Sequence, residues 1–550
     1  MKLVLAVFAD FEESFLGGRA ALETPLAGAP VIAHTLRRAA RVDGAAARCL
    51  FVRPRDADRA RAAIEQAALP GVFDVLALDD GRRPRRGLVR SARKWNLDGW
   101  RGSPFATTWF DEFVEPLAVA RVLDHYECEG VLCVEAHQAA LDVGLCTALL
   151  AHQRDHADDA RFAFTHAPPG FGGAILRRGV TRDLLEQDVP LGVLLSYRPE
   201  IAQADPITHP VCLAAPASVA HTAARFVADT RASRARLEHL FQHCGADADA
   251  ATLAAFLRER RTASTGVDET LPREVEIELT TDDPLPDTTL RPRGARVPRR
   301  RVTELDALER VARELGAYDD RLIVLAGHGD PLAHPDFADA CRRIRAAGVC
   351  GLAVVSPLVE LPDAAFAALF ESAVDVLQVP IDANSPATYR AVHGVDAYER
   401  VLANIERIQR ERVVRTSPQP LVAPSLVRSS GTIGEMEAFF DRWTQTTGWA
   451  VIEGYNEFGG VMPPDGLLPT TPPIRRPCAR LRRRVTLLGD GRTPLCGQDT
   501  SGLTVLGDWR TESVESLWRG AALGAARDAH ARLEWGSLPL CANCKEWSRP

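Results

Sequence analysis

Four cysteines near the end of the chain are the residues with the clearest chemistry. Cys478 and Cys496 are followed, after a long gap, by Cys541 and Cys544, which form a Cys-x-x-Cys pair. Thiolates bind zinc and iron–sulfur clusters because they are soft, charged donors, and a Cys-x-x-Cys pair can present both sulfurs to one centre. In a protein that we expect to be cytoplasmic, this arrangement indicates metal ligands rather than disulfides.

The spacing of these cysteines resembles a known module. Cys478 is followed by twelve residues, Gly491, four residues and Cys496. With the later Cys-x-x-Cys pair, a predicted strand over 485–488 and a short helix over 511–518, the segment resembles the SPASM domain of radical S-adenosylmethionine (SAM) enzymes. That resemblance implies one [4Fe–4S] cluster on the four cysteines. A tetrahedral zinc site with the same ligands remains the alternative, because spacing alone cannot separate two tetrathiolate sites.

The middle of the chain resembles the radical SAM barrel but lacks its cysteine motif. An alternating strand over 275–281 is followed by a polar loop, where the family has Cys-x-x-x-Cys-x-x-Cys. That spacing places Asp283, Asp287 and Leu290 at the three cysteine positions. A [4Fe–4S] cluster needs thiolates. The resemblance therefore implies a barrel without its cluster, and we do not expect SAM to be bound or cleaved there.

Other parts of the barrel pattern are present. A buried strand over 322–326 leads into Gly327-His328-Gly329-Asp330-Pro331. This segment resembles the family's GxGEP loop, which contacts the SAM amino group, so Gly327, Gly329 and Asp330 would form a degenerate SAM-type site. Further strands, alternating with helices, complete a predicted partial (β/α) barrel: 374–383, 421–426 and 451–455.

The first part of the chain alternates apolar runs with amphipathic stretches, which predicts a parallel α/β sheet. The predicted strands cover 3–8, 48–52, 75–78 and 131–134. The predicted helices cover 30–41, 56–67, 117–125 and 143–152. The first 150 residues resemble the nucleotidyltransferase fold of cytidylyltransferases, most clearly at Gly28-Ala29-Pro30-Val31-Ile32-Ala33-His34.

The residues that would bind a nucleotide in that family are only partly present. Gly17, Gly18 and Arg19 are the remaining candidates for a phosphate-binding loop, and three carboxylates precede them. Those carboxylates would repel a triphosphate unless a metal intervened. Glu135 or His137 stands where the family has its magnesium aspartate. Imidazole is a poor magnesium ligand, so bound magnesium is not expected.

Composition sets the outer limits. The 550 residues are 46% hydrophobic and 25% charged, which is typical of a globular protein with several domains. A formal net charge of −7 argues against a general nucleic-acid binder. We expect no membrane span, because no apolar stretch approaches the length needed to cross a bilayer. We interpret the eight other cysteines as buried thiols.

The predicted class is α/β with four domains: a nucleotidyltransferase-like domain at 1–215, a helical bridge at 216–268, a radical-SAM-like partial barrel at 269–465 and a SPASM domain at 466–550. Helices over 219–232, 236–242 and 252–261 would form the bridge. The predicted function is that of an iron–sulfur protein of the radical SAM/SPASM type that performs no radical chemistry and acts by binding an unknown small molecule, nucleotide or protein partner. Two alternatives stay open: nucleotidyl transfer in the N-terminal domain, and a radical SAM enzyme with atypical cluster ligands.

Overall fold

The chain divides into two compact units, Met1–Asp268 and Glu269–Pro550. The computed structural model describes residues 1–79, 81, 85–197, 199–259, 270–467 and 471–549. The predicted borders after residues 215 and 465 remain predictions. None of the helices in the described ranges is both long and apolar enough to cross a membrane.

The first unit is built on a seven-stranded sheet. Its strands in chain order are β1 (Leu3–Phe8), β2 (Pro25–Leu26), β3 (Ala29–Pro30), β4 (Ala47–Val52), β5 (Asp74–Ala77), β6 (Gly130–Glu135), β7 (Phe162–Thr165), β8 (Ala174–Arg177) and β9 (Cys212–Leu213). The strand order is β5-β4-β1-β6-β8-β7-β9, and β2 and β3 form a separate small ribbon. Strand β1 is buried along its whole length, as expected of a strand covered on both faces. The four predicted strands are confirmed to within one residue.

Two features of this sheet follow from its pairing. Strands β5, β4, β1 and β6 run parallel, which places their carboxyl ends at one edge. Strand β8 runs antiparallel to both of its neighbours, so the sheet is mixed rather than wholly parallel.

The helices of the first unit pack on this sheet. They are α1 (Val31–Ala40), α2 (Ala57–Gln66), α3 (Arg85–Arg93), α4 (Pro116–His125), α5 (Val143–Asp155), α6 (Arg178–Gln187), α7 (Gly192–Leu195), α8 (Ala217–Ala220), α9 (Arg231–Cys244) and α10 (Ala250–Glu259). The helices predicted in the first 155 residues are confirmed at α1, α2, α4 and α5. Helices α9 and α10 contribute Leu237 and Leu253 to the core of this unit.

The helix predicted over 219–232 is wrong. Helix α8 ends at Ala220, and α9 begins only at Arg231. Residues 224–230 are all buried, which a surface helix with one exposed face cannot achieve. The end of the helix predicted over 252–261 lies outside the described residues.

The second unit is built on a parallel sheet of seven strands. The strands of this unit are β10 (Glu274–Glu278), β11 (Leu322–Ala326), β12 (Gly351–Val355), β13 (Val376–Pro380), β14 (Leu421–Arg428), β15 (Val451–Gly454), β16 (Arg484–Leu487), β17 (Arg492–Pro494) and β18 (Val505–Asp508), of which β17 and β18 form a separate two-stranded sheet. The order is β15-β14-β13-β12-β11-β10-β16, and every pair in it is parallel.

Helices connect the consecutive strands from β10 to β15, as predicted for a partial (β/α) barrel. The helices of this unit are α11 (Leu305–Gly316), α12 (Phe337–Ala346), α13 (Asp363–Glu371), α14 (Pro386–His393), α15 (Tyr398–Val414), α16 (Met436–Thr447), α17 (Val514–Arg519), α18 (Ala521–Ala531) and α19 (Pro539–Ala542). One core lies between the sheet and these helices. The predicted α/β class is confirmed.

The strand predicted over 485–488 is found as β16, and its partner is the first strand of the barrel sheet. Strand β16 pairs in parallel with β10, and β17 pairs antiparallel with β18. Val485 and Leu487 join the main core, while Arg484 forms an ion pair of 2.6 Å with Glu274 on the opposite face. Strand β16 therefore covers an edge of the barrel sheet that would otherwise be open.

Candidate functional site

The four predicted metal-ligand cysteines lie in the short elements after the barrel. Cys478 precedes β16, Cys496 follows β17, and Cys541 and Cys544 lie in and just after α19. All four are free cysteines. The thiol of Cys496 is close enough to those of Cys478 and Cys541 for their charges to affect its pKa. The pKa values of Cys541 and Cys544 are affected by Cys478 in the same way. The fold therefore brings together four cysteines that are distant in sequence.

Protonation of these thiols reflects their environment. Burial is the main reason that the pKa values of Cys496 and Cys541 are raised to about 12. The neighbouring thiols raise them further, because each thiolate would stand beside another negative charge. Burial and the proximity of Cys478 raise the pKa of Cys544 as well. A bound metal ion would remove this penalty by compensating the thiolate charge.

Backbone N–H groups point at two of the sulfurs. The N–H of Glu546 donates to Sγ of Cys544 at 3.3 Å. Against the dominant effect of burial, a hydrogen bond from the N–H of Gln498 lowers the pKa of Cys496. Such N–H···S bonds stabilise thiolates and tune metal centres.

Arg475 and His530 hold the backbone beside the thiols. Arg475 donates to the carbonyl of Cys541 at 2.5 Å and to that of Ala542 at 3.0 Å. The N–H of Cys478 donates to Nδ1 of His530 at 3.2 Å. Sequence reasoning missed both residues, because neither stands in a motif and each meets the cysteines only through the fold.

The cysteines do not form a finished metal site. In the described part of the chain, no group of three or more His, Cys, Asp or Glu side chains is arranged to hold a metal ion. The four-cysteine site therefore stays a prediction.

The loop that follows β10, residues 279–300, stands where the family has its cysteine motif; we call it the mouth loop. Asp283 accepts hydrogen bonds from Nε of Arg293 at 2.8 Å and from the N–H of Leu285 at 2.7 Å. Asp287 is exposed, and Leu290 is buried. The three cysteine positions thus hold a paired carboxylate, an exposed carboxylate and a buried alkyl group.

Leu290 belongs to a small apolar cluster of the second unit. The other buried members are Val392, Val427, Tyr455 and Met462. The N–H of Thr289 donates to the carbonyl of Val392 at 2.8 Å, which fixes the loop to α14. The position of the third cysteine is therefore occupied by packed hydrocarbon.

A buried ion pair joins the mouth loop to the end of β13. Nη2 of Arg291 lies 3.3 Å from Oδ1 of Asp382, whose side chain is fully buried. The N–H of Val427 donates to the same Oδ1 at 2.7 Å. Burial lowers the pKa of Arg291, but the charges of Asp382 and Glu453 raise it more, and the net shift is upward. Arg291 is therefore a cation with its counter-ion already in place.

The predicted SAM-type loop is packed tightly against the strand beside it. A Cβ on Gly329 would lie 2.4 Å from the carbonyl oxygen of Thr280, and one on Gly327 would lie 2.7 Å from Cβ of Glu278. Asp330 is 1% exposed, and its carboxylate accepts the N–H of Leu332 at 3.1 Å. The close approach of the strand explains why glycine stands at both positions. Asp330 uses its carboxylate to accept a hydrogen bond from its own loop.

A buried charged cluster at the end of β10 was not predicted. Glu278 accepts Nε of Arg300 at 2.5 Å and Nη2 at 2.8 Å, and it lies 2.9 Å from Nδ1 of His328. The N–H of Gly489 donates to Glu278 at 3.2 Å, and Arg300 donates to the carbonyl of Thr500 at 3.0 Å. Burial raises the pKa of Glu278, but Arg300 and His328 lower it more, so the net shift is well downward. This cluster connects the barrel to the segment that carries the cysteines.

In the first unit, the predicted nucleotide loop is closed by its own hydrogen bonds. The N–H of Ser14 donates to the carbonyl of Gly18 at 2.8 Å, and the N–H of Gly17 donates to that of Ser14 at 3.0 Å. Arg90 donates to Glu13 at 2.7 Å from beside the loop. Arg19 is exposed. Of the three predicted residues, Gly17 therefore has its N–H already bonded within the loop.

The predicted magnesium position is also satisfied internally. Nδ1 of His137 lies 2.7 Å from Oε1 of Glu135, and Oε2 of Glu135 accepts the N–H of His137 at 2.6 Å. The N–H of Ala21 donates to Nε2 of His137 at 3.3 Å. The adjacent cleft is lined by more carboxylates than arginines: Asp10, Glu13, Glu112, Glu115 and Glu135 against Arg53 and Arg86. Both observations disfavour a bound nucleoside triphosphate.

Comparison with known proteins finds a family match for one segment of the chain. Residues 260–421 match the model of the radical SAM superfamily. An uncharacterized protein of Treponema pallidum (strain Nichols) is 24% identical over 244 residues, covering 43% of this chain and 67% of that protein. The likeness of the C-terminal segment to SPASM domains remains a prediction.

Two solved structures illustrate the fold likeness. SuiB from Streptococcus suis, bound to the precursor peptide SuiA, is 9% identical with a TM-score of 0.40, covering 51% of this chain and 72% of SuiB. A cytidylyltransferase from Leptospira borgpetersenii is 10% identical with a TM-score of 0.33, covering 47% of this chain and 95% of that protein. Both TM-scores lie below 0.5, so neither similarity carries a conclusion about this chain's activity.

The radical SAM superfamily generally binds a [4Fe–4S] cluster and SAM, and the mouth loop does not fit that pair. A cluster needs three thiolates, where the matched segment of this chain has Asp283, Asp287 and Leu290. Asp330, the candidate partner of the SAM amino group, is buried and hydrogen-bonded within its own loop. The C-terminal cysteines fit better, because they offer four thiol donors together with N–H groups directed at sulfur.

Proposed function

We propose that this chain is an iron–sulfur protein with a radical SAM domain that performs no radical chemistry, and that it acts by binding a small molecule, a nucleotide or a protein partner. One [4Fe–4S] cluster on Cys478, Cys496, Cys541 and Cys544 is part of the proposal. The observation that carries it is the construction of the mouth loop. At two of the three cysteine positions the side chain has a partner within the protein or belongs to packed core, namely Asp283 and Leu290, and the third position holds the exposed Asp287.

The charges around the mouth loop support this proposal. Arg293 lies against Asp283, and Arg291 lies against the fully buried Asp382. A cluster bound here would have to displace two guanidinium groups from their carboxylates and leave buried charges unpaired, which is strongly unfavourable. The domain keeps its parallel sheet and loses the site at which the family's chemistry takes place, since function depends on the site rather than on the fold.

Metal and product analysis tests the proposal. The full chain is purified anaerobically, reconstituted with iron and sulfide, and incubated with dithionite and SAM. We expect about four iron and four sulfide per chain, as one [4Fe–4S] cluster requires, and no 5′-deoxyadenosine. About eight iron, with an electron paramagnetic resonance signal that changes on adding SAM, would overturn it.

The same measurement separates the zinc alternative. About one zinc per chain without sulfide would assign the four cysteines to a structural tetrathiolate site. The proposal for the barrel would then stand, and the proposal for the cluster would fall.

The first unit supports a second candidate, nucleotide binding. Its cleft lies at the carboxyl ends of β1, β4 and β6, the edge at which α/β sheets commonly bind ligands. The excess of carboxylates there argues for a ligand with less negative charge than a triphosphate. Thermal unfolding of the full chain with CTP, cytidine or buffer, each with and without magnesium, tests it. Stabilisation by CTP with magnesium would support nucleotidyl transfer, and no shift with any of them would remove this candidate.

A further inference from the structure

We propose that Glu453 recognises a small organic cation, carrying an ammonium or guanidinium group, on one face of the seven-stranded sheet of the second unit. The inference rests on the proposed function, in which the chain acts by binding, and it names the chemical class of the ligand. Glu453 would supply the negative charge, and Gln378 would hold its carboxylate in place.

Glu453, Gln378 and Ser425 share the face of the sheet that is opposite to the helix-covered core. On β13, Leu377 and Val379 belong to that core, so Gln378 between them lies on the other face. Its Nε2 donates to Oγ of Ser425 on β14 at 3.2 Å and to Oε1 of Glu453 on β15 at 2.5 Å. Three neighbouring strands therefore each contribute one polar side chain to this face, which we call the inner face.

Side chains of the inner face are accessible to solvent. Val376 and Gln378 of β13 and Val451 and Glu453 of β15 are half-buried, whereas Leu377 of the core face is fully buried. Parallel sheets are normally covered on both faces. Half-buried side chains at these positions therefore leave the inner face open to a ligand.

Glu453 has no counter-ion at hydrogen-bond distance. In the described part of the chain, no arginine, lysine or histidine nitrogen lies within 4.0 Å of its carboxylate. Its charge acts on Arg291, but that guanidinium is already held by Asp382. The hydrogen bond from Gln378 fixes Oε1 and adds no charge. Glu453 is therefore a positioned carboxylate whose charge is not compensated.

The other charges of the inner face also favour a cation. The carboxylate of Glu278, at the end of β10, is neutralised by Arg300. In the described strands, the remaining charged side chains of this face are those of Glu274, Glu276 and Glu453 against that of Arg484. An excess of one sign of charge attracts ligands of the opposite sign.

A bound cation would complete this arrangement. A carboxylate that is partly removed from water loses hydration, and an opposite charge compensates that loss. Ammonium and guanidinium groups donate charge-assisted hydrogen bonds to carboxylates, which are about twice as strong as neutral ones. Arg484 provides such a pairing within the protein, at 2.6 Å from Glu274. Val376 and Val451, on the same face as Glu453, suit a cation on a short apolar stem.

The experiment titrates the full chain with butylammonium, butylguanidinium and uncharged butanol at neutral pH and constant ionic strength, and follows binding by NMR of the probe. The three probes share one stem, so differences between them report the head group. We expect at least one cation to bind more tightly than butanol. Glu453→Gln should weaken binding of that cation about tenfold to a hundredfold and leave butanol unchanged.

Two further variants control for the change itself. Glu453→Gln keeps an oxygen that can accept the hydrogen bond from Gln378, so it tests the charge rather than the strand contacts. Glu453→Lys reverses the charge and should bind butyrate more tightly than butylammonium. Glu360→Gln removes a carboxylate that is 66% exposed and should keep the preference of the wild type.

The outcomes distinguish this inference from the proposed function. Equal binding of butanol and both cations by the wild type, or a cation preference that persists in Glu453→Gln, overturns the inference. Iron, sulfide and 5′-deoxyadenosine are measured on the same preparation. Formation of 5′-deoxyadenosine overturns the proposed function whatever the titration gives, whereas the expected metal and product result without a cation preference overturns this inference alone.

Discussion

The mouth loop and the C-terminal cysteine segment differ in whether their polar groups have hydrogen-bond partners within the protein. Family resemblance directs attention to a cluster in both places. In the mouth loop, Asp283 has Arg293 as its partner, and Leu290 is packed in an apolar cluster. In the C-terminal segment, N–H groups point at sulfur, and Nε2 of His530 has no acceptor among the described residues.

This difference suggests how a site that has lost the ability to bind a cofactor can be distinguished from a site that can still bind one. A site that no longer binds a cofactor can evolve partners for its polar groups, because unpaired buried groups are costly. A site that still binds one must leave donors and thiols available for it. By that criterion we expect the mouth loop to bind no cluster, whereas the cysteine segment has N–H groups and thiols available for one.

Removing a proposed ligand should have the largest effect. Cys541→Ser replaces a thiolate by a hydroxyl, which stays protonated and is a poor ligand for iron or zinc. We expect nearly complete loss of bound metal, measured as metal per chain. Cys350→Ser is the control, because Cys350 is a half-buried free thiol that lies in the barrel. Wild-type metal content in Cys541→Ser would contradict the assignment.

The buried ion pair at the end of β10 should be the next most sensitive point. Arg300→Met leaves Glu278 buried without its main partner, and breaking a buried pair in this way costs about 3–5 kcal/mol. Urea unfolding of the full chain measures it. Arg400→Met removes the exposed pair with Glu360 and should change stability by less than about 0.5 kcal/mol. Equal effects of the two substitutions would show that the Glu278 cluster is unimportant for the barrel.

The contribution of Asp330 to the free energy of unfolding should depend on pH, and this effect should be smaller and of definite sign. Burial, helped by the nearby Asp283, raises the pKa of Asp330 to about 7 in the folded chain, against about 3.9 when unfolded. The protonated form therefore contributes stability that is fully present below about pH 4 and is lost as pH rises through 7. By linkage this loss amounts to about 2–4 kcal/mol.

Asp330→Asn isolates that contribution, because its Oδ1 can still accept the N–H of Leu332. Urea midpoints at pH 5 and pH 8 should differ less in this variant than in the wild type. Asp363→Asn, at a side chain that is 92% exposed, serves as the control and should keep the wild-type pH dependence. If Asp330→Asn keeps it too, Asp330 ionises normally in the folded chain.

Much of the fold could be predicted because the local pattern and the tertiary environment agree. The strand β11 was predicted at its observed bounds, since a run of five apolar residues followed by Gly327 has few other interpretations. The helix predicted over 219–232 was wrong because Arg225 is buried in ion pairs with Glu112 and Asp229. An arginine in an amphipathic pattern suggests a surface helix, and its partners were not visible in the sequence.

The same reasoning applies to the candidate sites. The four cysteines could be found from spacing, because a metal site depends on a few residue types at recognisable intervals. Arg300 and His530 could not, because each acts through contacts with residues far away in sequence. The pairing of β16 with β10 was missed for the same reason: its partner strand lies about 200 residues earlier.

Restoring the family's cysteine motif in the mouth loop should leave the iron content of the chain unchanged. Restoring the family motif with Asp283→Cys, Asp287→Cys and Leu290→Cys supplies three thiols at the spacing of a [4Fe–4S] site. If the mouth loop had merely lost its ligands, this variant would gain a second cluster, and iron would rise from about four to about eight per chain. We expect iron to stay at the wild-type value after anaerobic reconstitution, because Arg291 and Arg293 remain in the loop and the apolar cluster around residue 290 still fills the space.

A triple serine variant at the same positions controls for lost packing, since it removes the same side chains without adding thiols. Eight irons in the cysteine variant alone would show that the two regions differ only in their ligands, and the contrast between them would then rest on three residues rather than on the way the loop is built.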